Sequence, residues 1–404
     1  MSQTGKGGKQ RDEEMVDWSK LPVDLLRLIV LRLFSLVELI RFRSICSSWR
    51  SSVSNANNPF QSRPLIRVNP IIVVVISIPE HEHIMGFPDV KFLSRATFFR
   101  VSLSSSPHQG RLIKSDVDIN TRKLHLLNCL SRFPLEHSCR SLDLLEFTVS
   151  EIRQVYEVQD CYKQSALGFK RVVIVKDAGD DHHRILVISW DGKIRDWNYI
   201  AEEWSRIPDQ TTEFTDIIVH KGLTYALDSQ GIVWLISSSR SIYRYGPSLD
   251  ENITSSCCRD MSFVECCGEL YIVERLLVKN DINTNGSYGH RFSLAIHDDV
   301  EDVRCKLFES YILKTVGFKV YKMDKDLMKW MEVKSLGGNA FVMDTDGCFS
   351  ILARDFYGCL RNAIYFTSKG DETEIKVFKL DDGRIATMSE YKQRCFQMFV
   401  PSFL

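Results

Sequence analysis

The chain has 404 residues, and its 52 Lys and Arg residues balance 52 Asp and Glu residues, so the formal net charge is zero. A chain of this length predicts two or more domains or one large repeat domain. The zero balance argues against a general nucleic-acid surface, which would need an excess of basic residues. Apolar residues make up 44% and charged residues 26% of the sequence, as in ordinary folded globular proteins.

The first segment, residues 1–15, is polar and glycine-rich and predicts a disordered leader. It contains no apolar stretch of the kind that a secretory signal peptide requires. Twelve scattered cysteines without such a signal predict reduced thiols, and therefore a protein of the nucleus and the cytoplasm. No stretch reaches the length of a membrane-spanning helix, so no membrane partner is expected.

The next segment, WSKLPVDLLRLIVLRLFSLVELIRFRSICSSWRSSV, starts at Trp18 and predicts three short helices, with Pro22 in the first helical turn. Between Leu21 and Leu33 it is apolar on most of its circumference, whereas a helix on one core needs a single apolar stripe. We expect one apolar line to pack inside and the other to contact a partner. The two lines are Leu21, Leu25, Ile29 and Leu33, and Leu26, Val30 and Phe34.

After the polar sequence SNANNP the helical pattern ends, and short β-branched and aromatic runs separated by turn residues begin. The run IIVVVISI, residues 71–78, predicts a buried strand. Segments from a turn to a tryptophan recur and predict hairpins. They run from Asp191-Gly192 to Trp204, from Gly222 to Trp234 and from Asp324 to Trp330.

Repeated units of this kind predict a mainly-β domain, a β-propeller of about six to seven degenerate blades at roughly 40–50 residues each. A pair of non-repeating β-sandwiches is the alternative fold. A propeller is a closed ring, and closure removes exposed sheet edges. We therefore expect the last segments, EIKVFKLDDGRI and KQRCFQMFVPSFL, to pair as strands with the first β region near IIVVVISI.

The sequence CCRDMSFVECC is the best candidate for a metal site, with Cys257, Cys258, Cys266 and Cys267. Adjacent cysteines on a strand point to opposite faces, unlike the converging C-x-x-C pairs of zinc sites. Buried free thiols are therefore predicted instead of a metal. HEH at residues 81–83 and DDHH at residues 180–183 lack further ligands at helical spacing.

The sequence DTDG, residues 344–347, resembles the start of a calcium loop but lacks its later acidic and glycine positions. It predicts a tight hairpin turn. The chain also contains no nucleophile elbow, no phosphate-binding loop and no recognisable pair of acid and base carboxylates. No catalytic residue, metal or cofactor is therefore predicted.

Two groups of motifs resemble a known family. LPVDLLRLIVLRL resembles the L-P-x-D-L-L start of an F-box, and RFRSICSSWRSSV resembles its R-x-V-C-x-x-W-R close, with Ile45 in place of valine. MKWMEVKSLGGNAFVM, NAIYFTSKG and VFKLDDGRI are similar to blocks of the plant F-box proteins that carry a KIB-type β-propeller. The resemblance covers nearly the whole chain. It implies an F-box over residues 16–55, a linker over 56–64 and a β-propeller-like domain over 65–404.

The resemblance also implies a function, that of the substrate-recognition subunit of an SCF-type cullin–RING ubiquitin ligase. The F-box would dock on a Skp-type adaptor, and through it on a cullin, by a helix-in-groove contact. The β domain would recruit a protein substrate that the sequence does not name, and the subunit itself would not be an enzyme. The expected adaptor-binding residues are Leu21, Pro22, Leu25, Ile29, Ile45, Cys46, Trp49 and Arg50.

Three points stay open at this stage. Trp49 fits a core position as well as a contact position, because buried tryptophans serve both roles. An adaptor-binding scaffold outside any ligase is a second possible function, and a propeller enzyme with accessory helices is a third. Loops such as DAGDDHHR and KNDINTNGSYGH vary without a readable code, so the sequence does not identify a substrate-binding loop.

Overall fold

The computed structural model describes residues 17–30, 36–54, 71–75, 90–117, 124–135, 146–159, 169–176, 183–189, 191–198, 203–249, 260–279, 313–324, 329–368, 371–388 and 394–399. The chain divides into two compact units, Met1–Val68 and Asn69–Leu404. We call these the helical unit and the β domain. No helix in the described ranges is long and apolar enough to cross a membrane.

The helical unit contains a 3-10 helix at Trp18–Lys20, followed by α1 (Val23–Val30), α2 (Leu36–Ile45) and α3 (Ser47–Ser54). The carboxylate of Asp17 caps the 3-10 helix by accepting a hydrogen bond from the backbone N–H of Ser19 at 3.1 Å. Pro22 lies directly before α1, where its missing N–H leaves no helical hydrogen bond unmade. The three helices predicted from the sequence are therefore present.

The described strands of the β domain form five sheets, which we number as blades 1 to 5. Blade 1 contains β1 (Ile71–Val75), β2 (Val90–Leu103), β3 (Arg111–Val117), β4 (Leu124–Leu127) and β5 (Phe147–Gln159). Its order is β1-β2-β3-β4, and β5 also pairs with β2. Blade 2 contains β6 (Phe169–Lys176), β7 (His183–Ser189), β8 (Ile194–Asn198) and β9 (Glu203–Arg206).

Blades 3 and 4 are also antiparallel meanders in chain order. Blade 3 contains β10 (Phe214–His220), β11 (Leu223–Asp228), β12 (Val233–Ile236) and β13 (Ile242–Arg244). Blade 4 contains β14 (Asp260–Cys266), β15 (Glu269–Lys279), β16 (Leu313–Asp324) and β17 (Lys329–Glu332). The predicted hairpin at Gly222 is confirmed: Lys221 and Gly222 both have positive φ, as a two-residue turn that matches strand twist requires.

Blade 5 has the order β19-β18-β20-β21-β22, with β18 and β20 parallel. Its strands are β18 (Asn339–Met343), β19 (Cys348–Leu352), β20 (Ala363–Ser368), β21 (Asp371–Lys379) and β22 (Ile385–Thr387). A 3-10 turn at Ala353–Asp355 follows β19, and a second 3-10 helix at Arg394–Phe399 follows the sheet.

Five apolar clusters join the blades in a closed ring. Each cluster combines side chains of two successive blades, and the fifth combines blade 5 with blade 1. In that fifth cluster Phe98 of β2 lies 4.6 Å from Phe349 of β19, measured between ring centroids. The predicted β-propeller is confirmed.

The predicted count of six to seven blades is wrong, because the described residues form five. The estimate assumed blades of roughly equal length. Blade 1 instead takes residues 71–159 and blade 4 takes residues 260–332. Long strands such as the 14-residue β2 and the 12-residue β16 contain residues that the estimate assigned to further blades.

The predicted pairing of the last strands with the first β region is also wrong. β21 pairs with β20 and β22, whereas β1 pairs with β2. The segment CFQMF lies in a 3-10 helix instead of a strand. The physical reason is the parallel strand β20, which supplies blade 5 with a full set of its own strands.

Packing and a short backbone bridge close the ring instead. Gly110, before β3, donates to the carbonyl of Asp355 at 3.0 Å and accepts from the N–H of Tyr357 at 2.9 Å. A Cβ at Gly110 would lie 2.6 Å from the Arg100 side chain and 2.8 Å from the Asp355 oxygen. Only glycine allows the two backbones to approach so closely.

The C-terminal 3-10 helix packs into the apolar cluster between blade 5 and blade 1. Met398 is 0% exposed, and the Tyr365 hydroxyl donates to the carbonyl of Cys395 at 3.1 Å. We expect Met398→Ala to lower the free energy of unfolding of the β domain by about 2–5 kcal/mol, the range for a large buried side chain cut to alanine. Denaturant unfolding followed by circular dichroism measures this change.

Gln397→Ala is the matched control, because Gln397 is only half-buried and its backbone carbonyl, which accepts from Arg111, is retained. We expect it to change stability by no more than about 0.5 kcal/mol. Equal effects of the two substitutions would show that the 3-10 helix does not contribute to closing the ring.

Candidate functional site

The helical unit has a small core made from one of the two apolar lines. Leu26 and Val30 of α1 and Phe42 of α2 are 0%, 1% and 4% exposed. Trp49 of α3 packs against them, with its ring centroid 4.5 Å from that of Phe42. The indole N–H of Trp49 donates to the carbonyl of Trp18 at 3.1 Å, which holds the 3-10 helix against α3.

The other face of α1 is apolar and exposed. Leu25, Leu28 and Ile29 are spaced at i, i+3 and i+4, so they share one side of the helix. Their exposed fractions are 46%, 57% and 37%. Ile45, at the end of α2, is another exposed large apolar residue of this unit. We call Leu25, Leu28 and Ile29 the α1 face.

The structure separates the eight residues predicted from the sequence into two groups. Pro22, Leu25, Ile29, Ile45 and Arg50 are exposed. Leu21, Cys46 and Trp49 are half-buried, and Leu21 and Trp49 pack against the core of the unit. Leu33 and Phe34, which completed the two predicted lines, lie outside the described residues.

In the β domain, the innermost strands β5, β6, β10, β14 and β19 contact one another in succession around the centre of the ring. Arg171 of β6 forms an ion pair with Asp216 of β10 at 2.8 Å and donates to the carbonyl of Thr345 at 2.7 Å. The second carboxylate oxygen of Asp216 accepts from the N–H of Phe263 in β14 at 2.7 Å. These contacts join four blades.

A buried ion cluster joins blade 5 to blade 1. The ammonium of Lys114 lies 2.9 Å from carboxylate oxygens of both Asp344 and Asp346, and all three side chains are at most 3% exposed. The guanidinium of Arg132 lies 2.8 Å from Asp346 and 2.9 Å from Glu157. We call these five residues the closure cluster.

The sequence correctly predicted that DTDG forms a hairpin turn, since residues 344–347 connect the antiparallel strands β18 and β19. It did not predict the electrostatic role of the turn. Lys114 and Asp344 are 230 positions apart, so no local pattern could have paired them. The sequence offered only two separate signals, a lysine within an apolar strand pattern at Lys114 and an acidic turn at residues 344–347.

The two aspartates of the closure cluster differ in pKa, although both have a carboxylate oxygen 2.9 Å from the Lys114 ammonium. Burial raises the pKa of Asp344 to about 7, and the neighbouring Asp346 carboxylate adds to the rise. The pKa of Asp346 is instead held at about 2, because the charges of Arg132 and Lys114 outweigh its burial. Of the two carboxyl groups, Asp344 is therefore the one that keeps its proton to higher pH.

This arrangement predicts a pH dependence of stability. In the unfolded chain Asp344 has its ordinary pKa of 3.8, so between about pH 4 and pH 7 only the folded state holds this proton. The contribution of Asp344 to the free energy of unfolding should therefore fall as pH rises, by at most about 1.4 kcal/mol per pH unit. Denaturant unfolding of the wild type from pH 4.5 to pH 7.5 measures it.

Asp344→Asn provides the reference for that measurement, because asparagine is close in shape and does not titrate. We expect the free energy of unfolding of the wild type minus that of Asp344→Asn to decrease as pH rises across the same interval. If the value for the wild type minus that for Asp344→Asn instead stays constant or increases with pH, Asp344 is ionised throughout the interval.

Among the described residues, no group of three or more His, Cys, Asp or Glu side chains is arranged to hold a metal ion. Cys257 and Cys258, both HEH histidines and most of DDHH lie outside those residues. The prediction that adjacent cysteines point to opposite faces is wrong for Cys266 and Cys267. Their sulfur atoms are 3.9 Å apart, and Cys267 is exposed instead of buried.

Comparison with known proteins agrees with this architecture. The family model described as KIB1-4 beta-propeller matches residues 44–379. F-box protein At2g17690 of Arabidopsis thaliana is 50% identical to this chain over 96% of it and 100% of that protein. Probable F-box protein At1g65740 of the same plant is 49% identical, covering 96% and 100% of the two chains.

A more distant relative extends the same group. F-box protein SKIP23 of Arabidopsis thaliana is 28% identical, covering 87% of this chain and 84% of that protein. The match of the family model spans most of the β domain, and the two nearer relatives span their whole length. The chain therefore belongs to the family of plant F-box proteins with a KIB-type β-propeller.

Proposed function

We propose that this chain is the substrate-recognition subunit of an SCF-type cullin–RING ubiquitin ligase. The helical unit binds a Skp-type adaptor and through it a cullin, and the β domain recruits a protein substrate for ubiquitination. The names of the relatives support the first part, because they are called F-box proteins. A propeller supports the second part, since it is a rigid scaffold that presents loops for binding.

The observation that carries the proposal is the α1 face. Leu25, Leu28 and Ile29 present large apolar side chains to solvent on a helix whose opposite side already fills the core. Exposed apolar residues at i, i+3 and i+4 are the anchors with which an amphipathic helix occupies a hydrophobic groove. A monomer with no partner for this face would leave it in water at a cost in free energy.

The subunit is proposed to be non-catalytic. Asp344, Asp346 and Arg171 have shifted pKa values, and all three side chains form ion pairs inside the ring. Their role is therefore structural, because a catalytic group must reach a substrate. The proposed ligase role favours the nucleus and the cytoplasm as its location, where reducing conditions keep exposed thiols such as that of Cys267 reduced.

Reconstitution of the ligase tests the proposal. The full-length chain is mixed with a purified Skp-type adaptor, cullin and RING subunit and analysed by size-exclusion chromatography. We expect one stable complex that contains all four proteins. When plant extract, ubiquitin and the activating and conjugating enzymes are added, we expect ubiquitin on a protein captured through the β domain. Failure of the chain to enter the complex would contradict the proposal.

The same experiment distinguishes the two other candidate functions. A scaffold outside the ligase would bind the adaptor, yet no captured protein would receive ubiquitin. A propeller enzyme would leave the adaptor unbound and would convert a small molecule when the β domain is supplied alone. Either result would contradict the ligase function and support the corresponding alternative.

A further inference from the structure

Cys266 and Cys267 form an unusual pair at the turn between β14 and β15. Cys266 ends β14 and pairs with Glu269, so the loop consists of Cys267 and Gly268 alone. Both loop residues are left-handed, with φ of +52° and +73°. Glycine, asparagine and aspartate are the usual residues at such positions, so cysteine is an uncommon residue at the first of them.

The left-handed backbone brings the two sulfur atoms together. In a continuous strand, neighbouring side chains point to opposite faces. Because Cys267 has left the strand conformation, its Sγ atom lies 3.9 Å from that of Cys266. Cys266 is 3% exposed, whereas Cys267 is exposed to solvent. An accessible thiol therefore has a protected second thiol within reach.

The pair lies at the seam between blades 4 and 5. The side-chain amide of Asn339, at the start of β18, donates to the sulfur of Cys267 at 3.6 Å. The hydroxyl of Ser350 in β19 donates to the carbonyl of Glu265, next to the pair, at 2.7 Å. Burial raises the pKa of the Cys266 thiol to about 11. Of the two thiols, the exposed Cys267 is thus the one that an oxidant reaches first.

We propose that Cys266 and Cys267 form a peroxide-responsive dithiol that closes reversibly to a disulfide between adjacent residues. The Cys267 thiolate attacks one oxygen of hydrogen peroxide, the O–O bond breaks, and water and a Cys267 sulfenic acid result. The Cys266 sulfur then attacks the Cys267 sulfur, the S–O bond breaks, and a second water leaves with the thiol proton. Two thiols lose two electrons, and one peroxide becomes two waters.

The bond formed in this way should be easily reduced. Adjacent Cα atoms are about 3.8 Å apart, which is below the separation of roughly 4.4–6.8 Å that disulfides usually span. A strained and exposed disulfide has a higher reduction potential than a structural one and is opened by cellular thiols. The Asn339 side chain of blade 5 donates to the Cys267 sulfur, so formation of the disulfide alters a contact between blades 4 and 5.

Peptide mass spectrometry of the full-length chain tests this proposal. The reduced protein is treated with hydrogen peroxide, its free thiols are alkylated in denaturant, and the chain is digested with trypsin. Cleavage after Arg259 and Arg275 yields a peptide, residues 260–275, whose only cysteines are Cys266 and Cys267. We expect this peptide to be unalkylated and lighter by two hydrogen atoms, and to regain both alkylatable thiols after treatment with dithiothreitol.

The peptide of residues 335–354 is an internal control, because its only cysteine is Cys348, which is 5% exposed and has no adjacent cysteine. We expect thiol loss in the 260–275 peptide to be about tenfold faster than loss at Cys348, since reactivity follows exposure. Similar rates in the two peptides would overturn the proposal.

Two variants separate the steps. In Cys266→Ser, the sulfenic acid on Cys267 has no partner, and dimedone should label it. In Cys267→Ser, the buried Cys266 should stay reduced at the same peroxide concentration. The proposal is wrong if the wild-type peptide keeps both thiols, gains oxygen without losing two hydrogens, or forms its disulfide with another cysteine.

Discussion

Replacing Lys114 with methionine should lower the free energy of unfolding of the β domain by about 3–5 kcal/mol, the range for removing one partner of a buried ion pair. Methionine keeps the length of the side chain but removes the charge that lies 2.9 Å from Asp344 and from Asp346. The two carboxylates then lack a cation on that side, although Arg132 still forms its ion pair with Asp346. Denaturant unfolding followed by circular dichroism measures the loss.

A double substitution identifies the cause. Lys114→Met combined with Asp344→Asn should be more stable than the sum of the two single effects predicts, because both substitutions remove the same Lys114–Asp344 contact, which is lost only once. Lys319→Met is the matched control, since Lys319 is an exposed lysine on β16, and it should change stability by no more than about 0.5 kcal/mol. If Lys114→Met behaves like Lys319→Met, the closure cluster does not hold the ring closed.

The second large effect concerns the adaptor. Leu25→Asp together with Ile29→Asp should weaken binding of a Skp-type adaptor about a hundredfold or more, since two central apolar anchors are lost and two charges would be buried. Isothermal titration of the full-length variant with the purified adaptor measures the change. Because both side chains are exposed in the unbound chain, we expect its thermal unfolding to be unchanged.

Leu223→Asp is the control for this experiment. Leu223 is 47% exposed at the start of β11, close to the 46% of Leu25, so the same chemical change is made at equal exposure on the β domain. It should leave adaptor affinity unaltered. Unchanged affinity of the Leu25→Asp, Ile29→Asp variant would remove the α1 face as the adaptor site. Leu21 is a poorer probe, because it packs against the core and its loss would also perturb folding.

Local features of both units could be predicted from the sequence. The helices around Pro22, the hairpin at Lys221-Gly222 and the turn at residues 344–347 all form where residue pattern and turn chemistry placed them. The two apolar lines of α1 also differ in burial, with Leu26 inside and Leu25 outside. Such features depend on helix periodicity or on the φ preferences of a few neighbouring residues, which a sequence displays directly.

The blade count and the way the ring closes depended on tertiary structure. Five blades form because strands such as β2 and β16 are longer than a repeat estimate assumes, and because β20 inserts in parallel beside β18. Strand length and parallel pairing depend on which distant segments pack together. No local period encodes that choice, since the same apolar pattern suits several partners.

The same distinction between sequence and tertiary structure applies to the chemical features of the protein. The sequence by itself determined that Lys114, Asp344 and the adjacent cysteines exist, and that an apolar segment near the N-terminus needs a partner. Only the tertiary structure decided that Lys114 meets Asp344 across the seam of blades 1 and 5, and that a left-handed Cys267 approaches Cys266. The reason is that a buried charge is stable only beside its counter-charge, and ring closure alone brings residues 230 positions apart into contact.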